Sequence, residues 1–456
     1  MKQPDAASKK RHYFLYPLHD MSPRTPPRFA PWLLLCLCVA GAVWLGTRPP
    51  LRSARHAVAS PLGSGARNTA MADLNGDGRL DLAVADMSND QHFGPDPDHA
   101  NDTSAVSIWL NAGQGRLRRY ALLRGLQANL VAGADLDQDG DVDLVTGNWE
   151  GDSLLVLLND GHANFEPAGR VPAPRPRNFV LGDMNNDHVP DLVLKGDSCS
   201  ITVGYNDGHA HFALKNEKLS PLFPDEKSTD QPLATRIRHC PFEVALADVD
   251  RDGDLDIVTQ NEPFRPTTLS IIYNDGAHGK LEIEDMVFAD NYVANLTIGD
   301  VNGDGWPDLV MSGITGDHEN PSVVFMLLND GHGSYGTSHI TMGGLDNGPQ
   351  DEQWGPTLAR RLSTGSLDAW RVALGDVDRD GDLDLIVSSH WGEMGVRRNN
   401  GHATFADLYR IRTRQSYQPE LPIGDLDGDG RLEWLVPQPG AGPRRPGNQA
   451  VLTRLH

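Results

Sequence analysis

The sequence predicts an all-β fold, a seven-bladed β-propeller behind an N-terminal transmembrane or signal helix, on three observations. A nine-residue acidic loop recurs seven times, each copy is flanked by short β-rich runs, and helical periodicity is absent downstream of a single apolar N-terminal segment.

The apolar segment comes first along the chain. It runs from Phe29 to Gly46 (FAPWLLLCLCVAGAVWLG), about the minimum length for a bilayer span. Lys2, Lys9, Lys10, Arg11, Arg24 and Arg28 precede it, and Arg48, Arg52 and Arg55 follow. That charge bias puts the N-terminus inside and everything after residue 47 outside. Two readings stand: an uncleaved anchor, or the core of a signal peptide that ends near Ala57-Val58-Ala59 or starts at Met21. The division that follows is a cytoplasmic arm over 1–28, the membrane segment over 29–47, a linker over 48–53 and a propeller over 54–456, periplasmic or extracellular, or secreted if the signal is cleaved.

The seven loops come next. They are DLNGDGRLD from Asp73, DLDQDGDVD from Asp135, DMNNDHVPD from Asp183, DVDRDGDLD from Asp248, DVNGDGWPD from Asp300, DVDRDGDLD from Asp376 and DLDGDGRLE from Asp425. Their starts lie 48 to 76 residues apart, long for a solenoid unit and suited to a four-stranded blade. A short apolar stretch precedes each loop (Val244–Ala247, Leu296–Gly299) and a β-rich run follows (LDLAVAD, VDLVTGN, LDIVTQN). A third run ends in Asn-Asp-Gly, as in LLVLLNDGHANF, which signals a hairpin. Each unit therefore reads strand A, acidic loop, strand B, connection, strand C, tight turn, strand D. The last unit runs out of chain after NQAVLTRL. Segment 54–62 is the expected source of its missing strand, because pairing first and last segments removes an open edge.

The loop chemistry follows from the residue types. Positions 1, 3, 5 and 9 carry oxygen side chains, and calcium takes six to eight hard oxygen ligands. The candidate ligands are Asp73, Asn75, Asp77 and Asp81; Asp135, Asp137, Asp139 and Asp143; Asp183, Asn185, Asp187 and Asp191; Asp248, Asp250, Asp252 and Asp256; Asp300, Asn302, Asp304 and Asp308; Asp376, Asp378, Asp380 and Asp384; Asp425, Asp427, Asp429 and Glu433. Glycine at position 6 permits a sharp bend through positive φ in six loops, while the third has His188 there and Pro190 beyond. Up to seven calcium ions are expected, with the third loop the weakest. An EF-hand is excluded, because it needs a glutamate at position 12 between helices.

The loops also give the charge an address. The chain has 62 acidic and 40 basic side chains, a net charge of −22, and 28 of the acids stand at odd positions of the seven loops. Such a balance excludes a nucleic-acid binder, which needs clustered Lys and Arg. Four cysteines are too few for a disulfide framework. Cys199 and Cys240 fall on neighbouring units, and an exported location permits a bond between them.

The DxDxDGxxD loop leading into a strand, repeated with NDGHGxF-type turns, resembles the FG-GAP/VCBS repeat family. It is similar to the propeller of integrin α-subunits and to exported bacterial repeat proteins. The resemblance covers residues 54–456 and implies a seven-bladed propeller with calcium in the A–B loops. His188 and Glu433 depart from the pattern. The family includes adhesion modules, carbohydrate binders and some enzymes, so the resemblance does not choose among them.

Strand alternation puts the A–B loops and C–D turns on one face and the B–C and D–A connections on the other. The long insertions Asp86–Ser104, Lys215–Pro241, Ser312–Ser322 and Ser334–Arg371 are expected on the second face, where ligands are recognised. Trp149 and Trp391 follow strand B at matching positions, with His390 beside the latter. They read either as a sugar-stacking ligand face or as packing between blades. His162, His209, His332 and His402 read as turn residues. No nucleophile elbow, HExxH, P-loop or dinucleotide fingerprint is present. Three functions follow: a calcium-stabilised binding or adhesion module for a glycan or protein outside the membrane, a polysaccharide lyase or hydrolase, or a structural platform of an envelope complex.

Overall fold

A computed structural model of the protein describes residues 66–86, 105–113, 116–126, 128–196, 201–217, 241–261, 267–274, 281–288, 292–314, 323–335, 339–340, 351–354, 359–363, 371–389, 393–406, 409–412, 423–437 and 450–454. The apolar segment 29–47, the closing segment 54–62, Cys199, Cys240, His390 and Trp391 lie outside them. Every described element is a strand, and no helix among the described residues is long and apolar enough to cross a membrane.

The strands assemble as antiparallel β-propeller blades. Blade 1 is β1 (Ala66–Ala72), β2 (Asp81–Asp86), β3 (Ala105–Asn111) and β4 (Leu117–Leu123). Blade 2 is β5 (Leu130–Ala134), β6 (Asp143–Gly147), β7 (Ser153–Asn159) and β8 (Phe165–Pro172); blade 3 is β9 (Asn178–Gly182), β10 (Asp191–Lys195), β11 (Ile201–Asn206) and β12 (Phe212–Glu217). Blade 4 holds β13 (Pro241–Ala247), β14 (Asp256–Asn261), β15 (Thr267–Asn274) and β16 (Leu281–Phe288). Blade 5 holds β17 (Tyr292–Gly299), β18 (Asp308–Ile314) and β19 (Val323–Leu327), and its chain continues through β20 (His339–Ile340) and β21 (Asp351–Trp354) to β22 (Ala359–Ser363). Blade 6 is β23 (Arg371–Gly375), β24 (Asp384–Ser388), β25 (Glu393–Arg397) and β26 (Tyr409–Arg412). Six blades are thus complete among the described residues. A further sheet has three strands, β27 (Ile423–Gly424), β28 (Glu433–Pro437) and β29 (Ala450–Arg454), where the sequence predicts strands A, B and C of the last unit.

The second strand of a blade has sheets on both sides, so it reads as a continuous apolar run rather than an alternating one. DLVTG of β6, DLVLK of β10 and DLIVS of β24 are buried at every residue. Among the described residues, the apolar clusters lie between blades. Leu74 and Ile108 of blade 1 meet Leu144 and Leu157 of blade 2, and Leu136 and Val156 of blade 2 meet Leu192 of blade 3. The pattern continues to blade 6, whose Ile386 and Val396 meet Ile423 of the three-stranded sheet. On the other side of that sheet, Leu426 packs with Leu82 and Trp109 of blade 1. The ring of contacts is closed.

One expectation fails. Sequence puts the long insertion Ser334–Arg371 wholly on the face opposite the acidic loops, on the assumption that the Asn-Asp-Gly turn at Asn329 leads straight into strand D. Instead the outer strand of blade 5 is β22, so the stretch up to residue 358 is a C–D connection that leaves from the acidic-loop face. It detours because β20 pairs in parallel with β16 of blade 4 and β21 forms a hairpin with β22.

Candidate metal centres

Each acidic loop is a knot of carboxylate-to-backbone bonds. The residue at position 6 donates its N–H to the position 1 carboxylate, from 2.6 Å for Gly78 to Asp73 to 3.2 Å for Gly253 to Asp248. Position 7 donates to position 5, as in Asp141 to Asp139 at 2.9 Å. Two residues per loop take left-handed backbone. Position 6 does so throughout, from Gly430 (φ 82°) to Gly253 (φ 100°), and His188 follows at φ 69°. Position 4 does so as well, including non-glycine Gln138, Asn186, Arg251 and Arg379. His188 keeps the loop bond, its N–H lying 2.7 Å from Asp183. The third loop therefore has the same shape as the others despite its departure in sequence.

The position 9 carboxylates, Asp81, Asp143, Asp191, Asp256, Asp308, Asp384 and Glu433, are all 0% exposed. In six of them both oxygens are engaged. One accepts the N–H of position 2, the other the N–H of the asparagine at the end of strand C or two residues past it; Asp143 takes Leu136 at 2.9 Å and Asn159 at 2.8 Å. Burial outweighs these bonds and pushes Asp81, Asp143 and Asp191 up to about 6, and Asp256 and Asp308 up to about 7. Burial also raises Asp135, Asp248, Asp250, Asp384 and Glu433.

Four loops bring positions 1, 3 and 9 together with ligand oxygens within 4.8 Å of one another: Asp135, Asp137 and Asp143; Asp248, Asp250 and Asp256; Asp376, Asp378 and Asp384; Asp425, Asp427 and Glu433. The other three loops have Asn75, Asn185 and Asn302 at position 3, so they bring fewer carboxylates to the same place. Position 5 lies outside these groups. Within them, Asp135 Oδ1, Asp248 Oδ1 and Glu433 Oε1 are buried without a hydrogen-bond partner. A buried carboxylate oxygen that no donor satisfies is costly unless a cation meets it. The donor set, oxygen only and multiply anionic, fits a hard divalent ion. Some ligand positions are held by basic side chains instead: Arg79 pairs with Asp77, Arg398 lies 3.4 Å from Asp378, and Arg379 of the sixth loop lies 3.3 Å from Asp429 of the seventh.

The asparagine ending strand C is the functional residue that sequence reasoning missed. By sequence it reads as part of a turn. Its side-chain amide in fact donates to the position 2 carbonyl of the preceding blade's loop, as Asn159 does to Leu74 (2.9 Å), Asn274 to Met184 (2.9 Å) and Asn399 to Val301 (2.7 Å). The signal is an Asn that recurs at the end of strand C across otherwise varied turns.

Trp149 is half-buried and packs against the apolar cluster between blades 2 and 3, which is the packing reading of that residue. The turn histidines stand where expected; His162, His209, His332 and His402 each donate a backbone N–H two residues back to Asp160, Asp207, Asp330 and Asn400.

Comparison with known proteins bears on the fold. Among curated proteins, none matches this chain. Among solved structures, it is similar to BBS1N crystallised in complex with ARL6DN and soaked with lead, at 13% identity and a TM-score of 0.50 over 88% of this chain and 98% of that one. A mercury-soaked crystal of the same complex matches at 14% identity and a TM-score of 0.48, over 82% of this chain and 91% of that one. At 13% identity the first likeness shows the propeller fold and nothing of the ligand. The FG-GAP-like repeat model matches residues 73–146, 135–194, 248–311, 300–387 and 376–436, each match starting at the first aspartate of an acidic loop. With most of the sequence covered by that model, this chain belongs to the FG-GAP-like repeat family.

Proposed function

We propose that this chain is an exported, calcium-stabilised, seven-bladed propeller that serves as a binding or adhesion module for a glycan or protein outside the membrane. The observation that carries the reading is the set of buried carboxylate oxygens, Asp135 Oδ1, Asp248 Oδ1 and Glu433 Oε1, left unsatisfied at the centre of their loops. Positions 1, 3, 5 and 9 would hold calcium, which supplies positive charge where the fold has gathered negative charge. The three-stranded sheet is then the seventh blade, with segment 54–62 as its fourth strand and segment 29–47 as the tether. With the metal loops occupying one end of the ring, the B–C and D–A connections at the other end are free to vary and to recognise. BBS1N in complex with ARL6DN is a precedent for a macromolecular ligand on this fold.

The test is calorimetric titration of the full chain with calcium, followed by screening against glycans and candidate proteins with calcium and with chelator. Calcium uptake, a raised melting temperature and reversible ligand binding are expected. Absence of calcium uptake sinks the metal reading. Depolymerisation of a polysaccharide in the screen would favour the enzyme instead, and stable assembly without ligand the platform.

A further inference from the structure

The outer edges of this ring accept additional strands. Blade 4 takes β20 in parallel on β16, and blade 5 takes β21 antiparallel on β22. The second case has a charge pattern. β21 reads Asp-Glu-Gln-Trp and β22 reads Ala-Arg-Arg-Leu-Ser, in a register that sets Glu352 opposite Arg361 and Gln353 opposite Arg360. By sequence and register, a strand that begins with two acids pairs with an edge that holds two arginines, and Glu352 and Arg361 are register partners.

Blade 1 repeats the edge without the added strand. β4 reads Leu-Arg-Arg-Tyr-Ala-Leu-Leu and ends its sheet, with no further strand beyond it among the described residues. A bulge opposite Ile108 and Trp109 leaves Arg118, Arg119 and Tyr120 exposed in succession, Tyr120 at 44%. Arg116 is exposed beside them, and none of the three arginines has an ion-pair partner among the described residues. No acidic residue occurs from residue 103 to 134, in a chain whose net charge is −22. The edges of blades 2 and 3 differ. β8 contains Pro167 and Pro172 and carries Glu166 as well as Arg170, and β12 carries Lys215 and Glu217. An unpaired edge is a template for another chain, and its charge decides which chain. A basic edge repels a second copy of itself and selects an acidic strand.

We propose that the outer edge of β4 binds an extended acidic peptide of a protein partner as a fifth strand, by the same pairing that β21 makes on β22. This surface is separate from the connections assigned to ligand recognition above, and it does not depend on calcium.

The test uses a fluorescently labelled peptide with the sequence of residues 348–356, which contains Asp-Glu-Gln-Trp, and the full chain at low salt. Binding is expected by anisotropy, with slowed amide hydrogen exchange over β4. Affinity should fall at least tenfold in the double variant Arg118→Glu/Arg119→Glu and for a peptide with both acids changed to lysine. Both arginines are exposed and make no ion pair among the described residues, so an unchanged melting temperature checks that the variant folds. Three results would overturn the proposal: affinity indifferent to the double variant, exchange protection over β22 instead of β4, or equal binding of heparin or phosphatidylserine vesicles with no protection of β4 by the peptide.

Discussion

The side-chain amide of Asn111 donates to the backbone carbonyl of Leu426 at 2.6 Å, joining residues 315 positions apart. The same amide also reaches Leu80 of its own loop at 3.1 Å, so one asparagine ties the first acidic loop to the last. Five more asparagines make the equivalent bond around the ring, among them Asn206 to Leu136 and Asn329 to Val249, both at 2.9 Å. At the junction between blade 6 and the last sheet, Arg379 of the sixth loop reaches Asp429 of the seventh.

Asn111→Ala should therefore destabilise the ring by about 1–3 kcal/mol, the cost of leaving a buried carbonyl without its donor. Urea denaturation followed by circular dichroism measures it. Asn111→Ala with wild-type stability would show that the bond contributes nothing to closure.

Metal removal should lower the melting temperature, because an ion that binds only the folded state stabilises it by mass action. Asp135→Asn removes a carboxylate whose Oδ1 is buried and unsatisfied. It should reduce calorimetric calcium stoichiometry by one while raising the stability of the chelated protein, since a buried charge is gone. Unchanged stoichiometry would remove the second loop from the set of sites.

The pH dependence of the metal-free protein should run opposite to that of an ordinary acidic protein. Burial raises Asp256 and Asp308 from 3.8 to about 7, so the folded state holds protons that the unfolded chain has released. Stability is then greatest at the acid end of this window and falls as pH rises from about 4 to 7. Each carboxylate contributes about 1.4 kcal/mol for every tenfold difference in proton affinity between the folded and unfolded chain. Calcium affinity should rise over the same window, as protons leave the ligands. Melting temperatures in chelator at pH 5.5 and 7.5 check the sign; a higher value at pH 7.5 would contradict it.

His188→Gly should stabilise the third loop. His188 sits at φ 69° with its N–H on Asp183, the conformation glycine adopts in the other six loops. Left-handed backbone costs a non-glycine residue about 1 kcal/mol, and most of that should return as a higher denaturation midpoint. A lower midpoint would mean that the imidazole, 3.7 Å from Asp183, contributes more than the strain costs.

The acidic loops were legible because their chemistry is local. Asp135, Asp137 and Asp143 lie within nine residues, so spacing alone brings them to one turn, and glycine at position 6 reports the backbone it needs. Strand order within a blade was legible for the same reason, since each hairpin pairs neighbours in sequence. The detour of blade 5 was not, because pairing of β20 with β16 depends on an edge that another blade presents. The left-handed backbone at position 4 was only partly visible: Gly76, Gly303, Gly428 and Asn186 favour it, while Gln138, Arg251 and Arg379 give no sign of positive φ.

The sequence by itself therefore determined the repeat, the strands and the residues that gather around each candidate ion. Only the tertiary structure decided how the units hold one another. The apolar clusters form between blades, and in six units the asparagine that closes the third strand acts on a carbonyl of the unit before it, as Asn159 does on Leu74 across 85 residues. A donor that spends its bond on a neighbouring repeat looks, in sequence, like any turn asparagine; its partner becomes visible only when the blades are set side by side.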